Sequence, residues 1–98
     1  MACYFLSESA QNDIMSIRDY TMDTWGKAQT DQYLSQLEKR LEWLAENPAL
    51  GKKRDEVKYG YISFPEGRHI IFYRIVNDGI EVIAIIHQSE DIDAYFNS

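Results

Sequence analysis

The stretch from Arg68 to His87, RHIIFYRIVNDGIEVIAIIH, decides how the rest of the chain is read. Its two arms, Arg68–Val76 and Ile80–His87, are dominated by Ile, Val, Phe and Tyr, whose branched and aromatic side chains suit a pleated surface. Asn77-Asp78-Gly79 between them is a hairpin signal, since these residues tolerate the backbone angles of a tight turn. In the second arm Val82, Ala84 and Ile86 fall on one face and Ile83, Ile85 and His87 on the other. Apolar residues on both faces predict a central strand, or one covered on both sides. Tyr73 and Arg74 lie mid-strand on opposite faces.

Upstream, Tyr59–Phe64 predicts a third strand, with Pro65-Glu66-Gly67 as its turn. Towards the N-terminus the apolar period changes from two to three and four. Ser7 reads as a helix N-cap with Glu8 in the first turn, where a carboxylate meets the positive end of the helix dipole. Ala10, Ile14, Ile17, Thr21 and Trp25 then mark one helix face, and Gly26 suits the left-handed position that ends it. A second helix starts near Lys27 with the stripe Leu34, Leu37, Leu41 and Leu44, broadened by Tyr33 and Ala45, and stops at Asn47-Pro48. Two helices separated by so short a link fold back on each other. Residues 3–6 form a short strand, and Ser89 is a possible cap for a terminal helix docked by Ile92, Tyr95 and Phe96. The expected class is α+β in the order β-α-α-β-β-β-α. The N-terminal strand pairs at the sheet edge, an antiparallel two-helix hairpin packs on a twisted antiparallel β-sheet, and a short C-terminal helix closes the chain.

Ninety-eight residues, 45% of them hydrophobic, make one domain over 1–98 with enough apolar surface to fold. No apolar run approaches a bilayer span, and Met1-Ala2-Cys3-Tyr4-Phe5-Leu6 has neither a basic leader nor a cleavage pattern. Cys3 is the single cysteine, so no internal disulfide forms. These features read as a cytoplasmic, reduced, soluble domain. The formal charge is −6, yet residues 51–74 hold six basic against three acidic side chains, while the remainder holds four against thirteen. This segregation is either a solvated loop beside an acidic helical face or a docking surface for an acidic partner or nucleic acid.

The chemistry available is limited. His69 and His87 are the only histidines, and neither shares a metal-ligand spacing with another donor, so no metal and no cofactor are expected. No glycine pattern for a nucleotide is present, and no glycines surround Ser63 or Ser89 as a nucleophile requires. His87 and Asp91, four residues apart at a strand end and a helix start, could brace the tail, contact a partner, or supply a base. His69 is expected to alternate outward. Tyr59, Tyr61, Tyr73 and Tyr95 would make an interface-type surface if outward.

Several segments taken in order resemble a known family: Ala10-x-x-Asp13-Ile14, Tyr20, Trp25-Gly26, Ala45-Glu46-Asn47-Pro48-x-x-Gly51-Lys52, Gly60-Tyr61, Phe64-Pro65, Ile71-Phe72-Tyr73-Arg74 and Ile85-Ile86-His87-Gln88-Ser89-x-Asp91. Their set is similar to ParE, the toxin of ParDE type II toxin–antitoxin systems in the RelE/ParE superfamily. The resemblance implies a toxin that inhibits DNA gyrase and blocks replication, held in a hetero-oligomer by a cognate ParD-like antitoxin. It implies no membrane and no direct sequence-specific nucleic-acid binding. RelE-type relatives instead cleave mRNA on the ribosome with clustered Lys and Arg and a Glu, His or Tyr. Here Lys58, Arg68, Arg74, His87 and Tyr95 are the pieces of such a set, and Gln88 stands where some of those nucleases have tyrosine. The set is incomplete, so no catalytic residue is assigned. Ribonuclease activity remains the alternative, as does an inactive antitoxin-binding module. Within the resemblance, Tyr73, Arg74, His87, Asp91 and Phe96 are the gyrase-contact candidates. Ile14, Ile17, Trp25, Leu34 and Leu37 are the candidates for an antitoxin groove between hairpin and sheet.

Overall fold

Ser7 starts the first helix as its spacing predicts: its hydroxyl accepts the Ala10 N–H at 3.0 Å and donates to the Ile83 carbonyl at 2.9 Å, fixing the helix to the sheet. The computed structural model describes residues 2–97, and Met1 and Ser98 of the expected domain lie outside the described residues. In chain order the elements are β1 (Cys3–Leu6), α1 (Glu8–Trp25), α2 (Lys27–Glu46), a 3-10 turn (Pro48–Leu50), β2 (Lys52–Lys53), β3 (Ile62–Glu66), β4 (His69–Val76), β5 (Gly79–His87) and α3 (Ile92–Phe96). Gly26, at φ 86°, both ends α1 and opens α2, a backbone conformation that other residues rarely adopt. Ala10, Ile17 and Thr21 of α1 and Leu37, Leu41 and Leu44 of α2 are buried against the sheet, each large aliphatic side chain contributing about 1.5–3 kcal/mol.

The sheet order is β1-β5-β4-β3-β2. β2 through β5 run antiparallel, as expected, but β1 joins β5 in parallel, from Cys3 opposite Gly79 to Leu6 opposite Val82. The sheet is therefore mixed, and the added β2 makes five strands rather than four. β5 is the covered strand that its apolar run implies. Its two faces differ from simple alternation, however. Tyr73 pairs with Val82 while its neighbour Phe72 pairs with Ala84, leaving Ile83 as an extra residue, a β-bulge. Val82 and Ile85 consequently face the hairpin, and Ile83, Ala84 and Ile86 face away from it.

The turn between β3 and β4 also falls later than expected. Pro65 lies within β3, and the chain reverses at Gly67-Arg68. β2 pairs only with Ile62 and Ser63, so Pro65 meets an open edge where its missing N–H breaks no ladder bond. On the face away from the hairpin, Phe72, Ala84 and Ile86 are covered by α3 through Ile92, Tyr95 and Phe96, and by Val57 and Tyr61. Arg40 links α2 to β3: its guanidinium lies over the paired Trp43 and Phe64 rings and pairs with Glu66 at 2.8 Å.

Candidate functional site

His69 opens β4 and His87 closes β5, and the register sets them directly opposite on the face towards the hairpin. Their rings meet edge to face with centroids 5.4 Å apart. From α2, Tyr33 reaches over the Gly67 turn: its hydroxyl lies 2.5 Å from His69 Nδ1 and accepts the Arg68 N–H at 3.0 Å. Gly67 adopts φ 57°, and a Cβ there would stand 2.6 Å from the Tyr33 ring, so both backbone and packing require glycine. His69 is thus drawn inward, against the expectation that it alternates outward. Burial, with smaller contributions from His87 and Arg68, pushes its pKa down to about 4, which keeps the ring neutral at pH 7.

His87 is braced by Ser89 rather than by Asp91. Its Nδ1 accepts the Ser89 N–H at 3.1 Å and lies 2.7 Å from Ser89 Oγ. Asp91 instead caps α3, accepting the N–H groups of Asp93 at 3.0 Å and Ala94 at 3.3 Å, which is the role expected of Ser89. From α1, Asp13 Oδ2 accepts the Ile85 N–H at 2.9 Å and the Tyr95 O–H at 2.8 Å, tying α1, β5 and α3 together. Burial raises the Asp13 pKa, and these two hydrogen bonds work against that rise. Burial and then the Asp13 carboxylate raise that of Tyr95.

These side chains line a groove. A cavity of about 400 Å³ is bounded by Asp13, Ser16, Ile17, Tyr20, His69, Ile85, His87, Ser89 and Glu90. A smaller one shares Tyr20, His69 and His87 and continues past Thr21, Gln29 and Tyr33 to Trp25 and Arg68. Trp25 is 52% exposed, with the Arg68 guanidinium 5.5 Å from its ring centre. The groove carries carboxylates at one end, an arginine at the other and the two imidazoles between. Among the described residues no three His, Cys, Asp or Glu side chains are grouped to hold a metal, and no helix is long and apolar enough to cross a membrane.

The expected contact residues are dispersed. Tyr73, placed outward by expectation, is fully buried on the hairpin face and donates its O–H to the Pro48 carbonyl at 2.8 Å. The tightness there also fixes Gly51, where a Cβ would stand 2.8 Å from the Ser63 carbonyl oxygen. Arg74 lies on the opposite face, paired across the hairpin with Glu81 at 2.6 Å. Phe96 packs edge to face on Phe72 and Tyr61, on the far side of the sheet from the groove. Only His87 of these five lines the groove. The open cleft expected between hairpin and sheet is filled by the core: Ile17 and Leu37 are buried, and Ile14 and Leu34 are half-buried against them. Trp25, the last residue of α1, is alone of that set exposed. Tyr33, His69 and Arg68 also line the groove with no local motif to mark them, whereas Asp13 falls in the Ala10-x-x-Asp13-Ile14 segment of the family pattern.

The family model described as ParE toxin of type II toxin-antitoxin system, parDE, matches residues 4–92. Toxin ParE1 of Mycobacterium tuberculosis is 40% identical over 91 residues, covering 92% of this chain and 93% of that protein. Toxin ParE1 of Caulobacter vibrioides is 34% identical over 95 residues, covering 97% and 98%. Of solved structures, a chain of the chromosomal ParDE TA system from P. aeruginosa matches with a TM-score of 0.74 at 14% identity, over 89% of this chain and 96% of that one. A chain of the YoeB-YefM complex from Staphylococcus aureus matches at 0.59 and 16% identity, over 90% and 98%. These two show a shared fold. The family match and the two sequence relatives, each spanning most of the chain, show more: this chain belongs to the ParE toxin family of type II toxin–antitoxin systems.

Proposed function

We propose that this chain acts in the cytoplasm as a toxin that inhibits DNA gyrase and blocks replication, and that a ParD-like antitoxin neutralises it in a hetero-oligomer. The family membership supports the toxin role, and the placement of the arginines favours gyrase over RNA. Phosphoryl transfer needs several cations converging on one phosphate. Arg68 in the turn before β4 and Arg74 within β4 stand six positions apart, roughly 20 Å at strand rise, and Arg74 is engaged by Glu81. Arg54 is held by Ser63 at 2.7 Å. What remains near His69 and His87 is a groove with exposed Tyr20 and Trp25 on its rim, residue types that anchor protein interfaces. No cofactor takes part in this reading.

The test combines purified gyrase, plasmid DNA and the protein, with a translation reaction run in parallel. Inhibited supercoiling or accumulated linear DNA with intact mRNA is the expected result. Unaffected gyrase with cut mRNA would overturn it and make Arg68, His69 and His87 the residues to substitute. Harmless expression of the folded chain without antitoxin would remove both toxic readings.

A further inference from the structure

Three of the six basic side chains of residues 51–74 share one place in the fold. Lys52 and Lys53 form β2, the outermost strand, and Lys58 lies in the following loop. All three are exposed, and among the described residues none stands in an ion pair. β2 pairs with β3 alone, so its other side is an open backbone edge.

The loop behind it is firmly built. The Arg54 N–H donates to the Tyr61 carbonyl at 2.8 Å, the Tyr61 N–H to the Lys58 carbonyl at 3.0 Å and the Gly60 N–H to Asp55 Oδ1 at 3.1 Å. The loop thereby holds Tyr59 at 90% exposure, beside a concavity of about 290 Å³ lined by Lys53, Tyr61, Ile62 and Ile75, the last 54% exposed.

We infer that this edge docks an acidic polypeptide segment, which extends β2 as an added strand and seats an apolar side chain between Tyr59 and Ile75. Charge carries the choice of partner. Outside residues 51–74 the chain holds thirteen acidic against four basic side chains, so an acidic segment is repelled from most of the surface and drawn to this edge. An open strand edge offers hydrogen bonds that a peptide backbone matches, and alternate side chains of an added strand reach the same face. A nucleic acid fits less well, because the apolar seat has no use for a phosphate. Because the loop is already ordered, binding freezes little on this side. The inference goes beyond the toxin reading and stands whether or not the partner is an antitoxin.

The test titrates the folded full chain with a labelled peptide of about ten residues alternating Glu and Leu, one strand in length. Anisotropy and backbone amide shifts are followed at low salt. The expected result is binding that perturbs residues 52–62 and Ile75, falls about tenfold in Lys52→Glu/Lys53→Glu, and weakens as salt is raised. Tyr59→Ser should lower it further. Lys52→Gln/Lys53→Gln, a milder change at exposed positions, serves if the reversal disturbs folding. Absence of binding, shifts confined to the His69–Trp25 groove, or tighter binding of a single-stranded oligonucleotide through the same lysines would each overturn the inference.

Discussion

Tyr73 shows how one side chain can hold a strand to a distant turn. Its ring fills the core while its O–H reaches the Pro48 carbonyl. Tyr73→Phe keeps the ring and strands that carbonyl, so denaturant unfolding should report a loss of about 1 kcal/mol, with toxicity unchanged at permissive temperature. His69 behaves differently, because its environment acts on a proton. Its folded pKa, about 4, lies below the ordinary 6.5, so the unfolded chain takes up the proton first. The stability this gives is complete above pH 6.5 and drains away as pH falls towards 4. The melting temperature should therefore fall further between pH 7 and pH 4.5 in the native chain than in His69→Gln. A difference of roughly 4 °C or more is expected, corresponding to about 1 kcal/mol after allowing for solvent screening. Equal losses in the two proteins would contradict the buried neutral ring. Neither role was legible from neighbouring residues. A strand tyrosine beside an arginine can face either way, and what settles Tyr73 is Pro48, which is 25 positions earlier. The inward turn of His69 depends on Tyr33, 36 positions before it.

The elements were legible where periodicity and caps coincide: Ser7, Gly26 and Asn47-Pro48 bound both helices, and the β4–β5 hairpin follows its turn residues. The histidine pair was not, and the bulge explains why. Counting back from Val76 opposite Gly79 in unbroken register puts Ile86 opposite His69, and only the extra residue Ile83 brings His87 there. Deleting Ile83 should therefore close the bulge into an unbroken ladder that keeps His87 opposite His69 and Ile85 opposite Ile71. Ser7 loses the Ile83 carbonyl as acceptor, so denaturant unfolding should report a loss of about 1 kcal/mol, and a folded product without the His69–His87 proximity by NMR would contradict this register. β2 escaped notice because two lysines carry no apolar period; an edge strand of that length is defined by its partner alone. The tail helix is held by packing on a sheet face that is otherwise apolar. Phe96→Ala should cost about 2 kcal/mol and increase binding of a hydrophobic dye, since Phe72 loses its ring partner. A tail that served only to touch a target would leave stability unchanged.

Across the whole molecule, the ordered set of short segments made the family readable while their spatial arrangement stayed hidden, because partners far apart in sequence converge at the groove. β1 aligns with Gly79 to Val82, Ser7 bonds Ile83, and Asp13 bonds both Ile85 and Tyr95. Such closures pay their loop entropy before any return, so they form late. The same geometry bears on synthesis. A nascent chain emerging from the ribosome exposes Tyr4, Leu6 and the leucine stripe of α2 with no sheet to receive them until the codons for β5 have been read. The protein is therefore inert through most of its own translation, and a message broken upstream of those codons yields a fragment with no completed core.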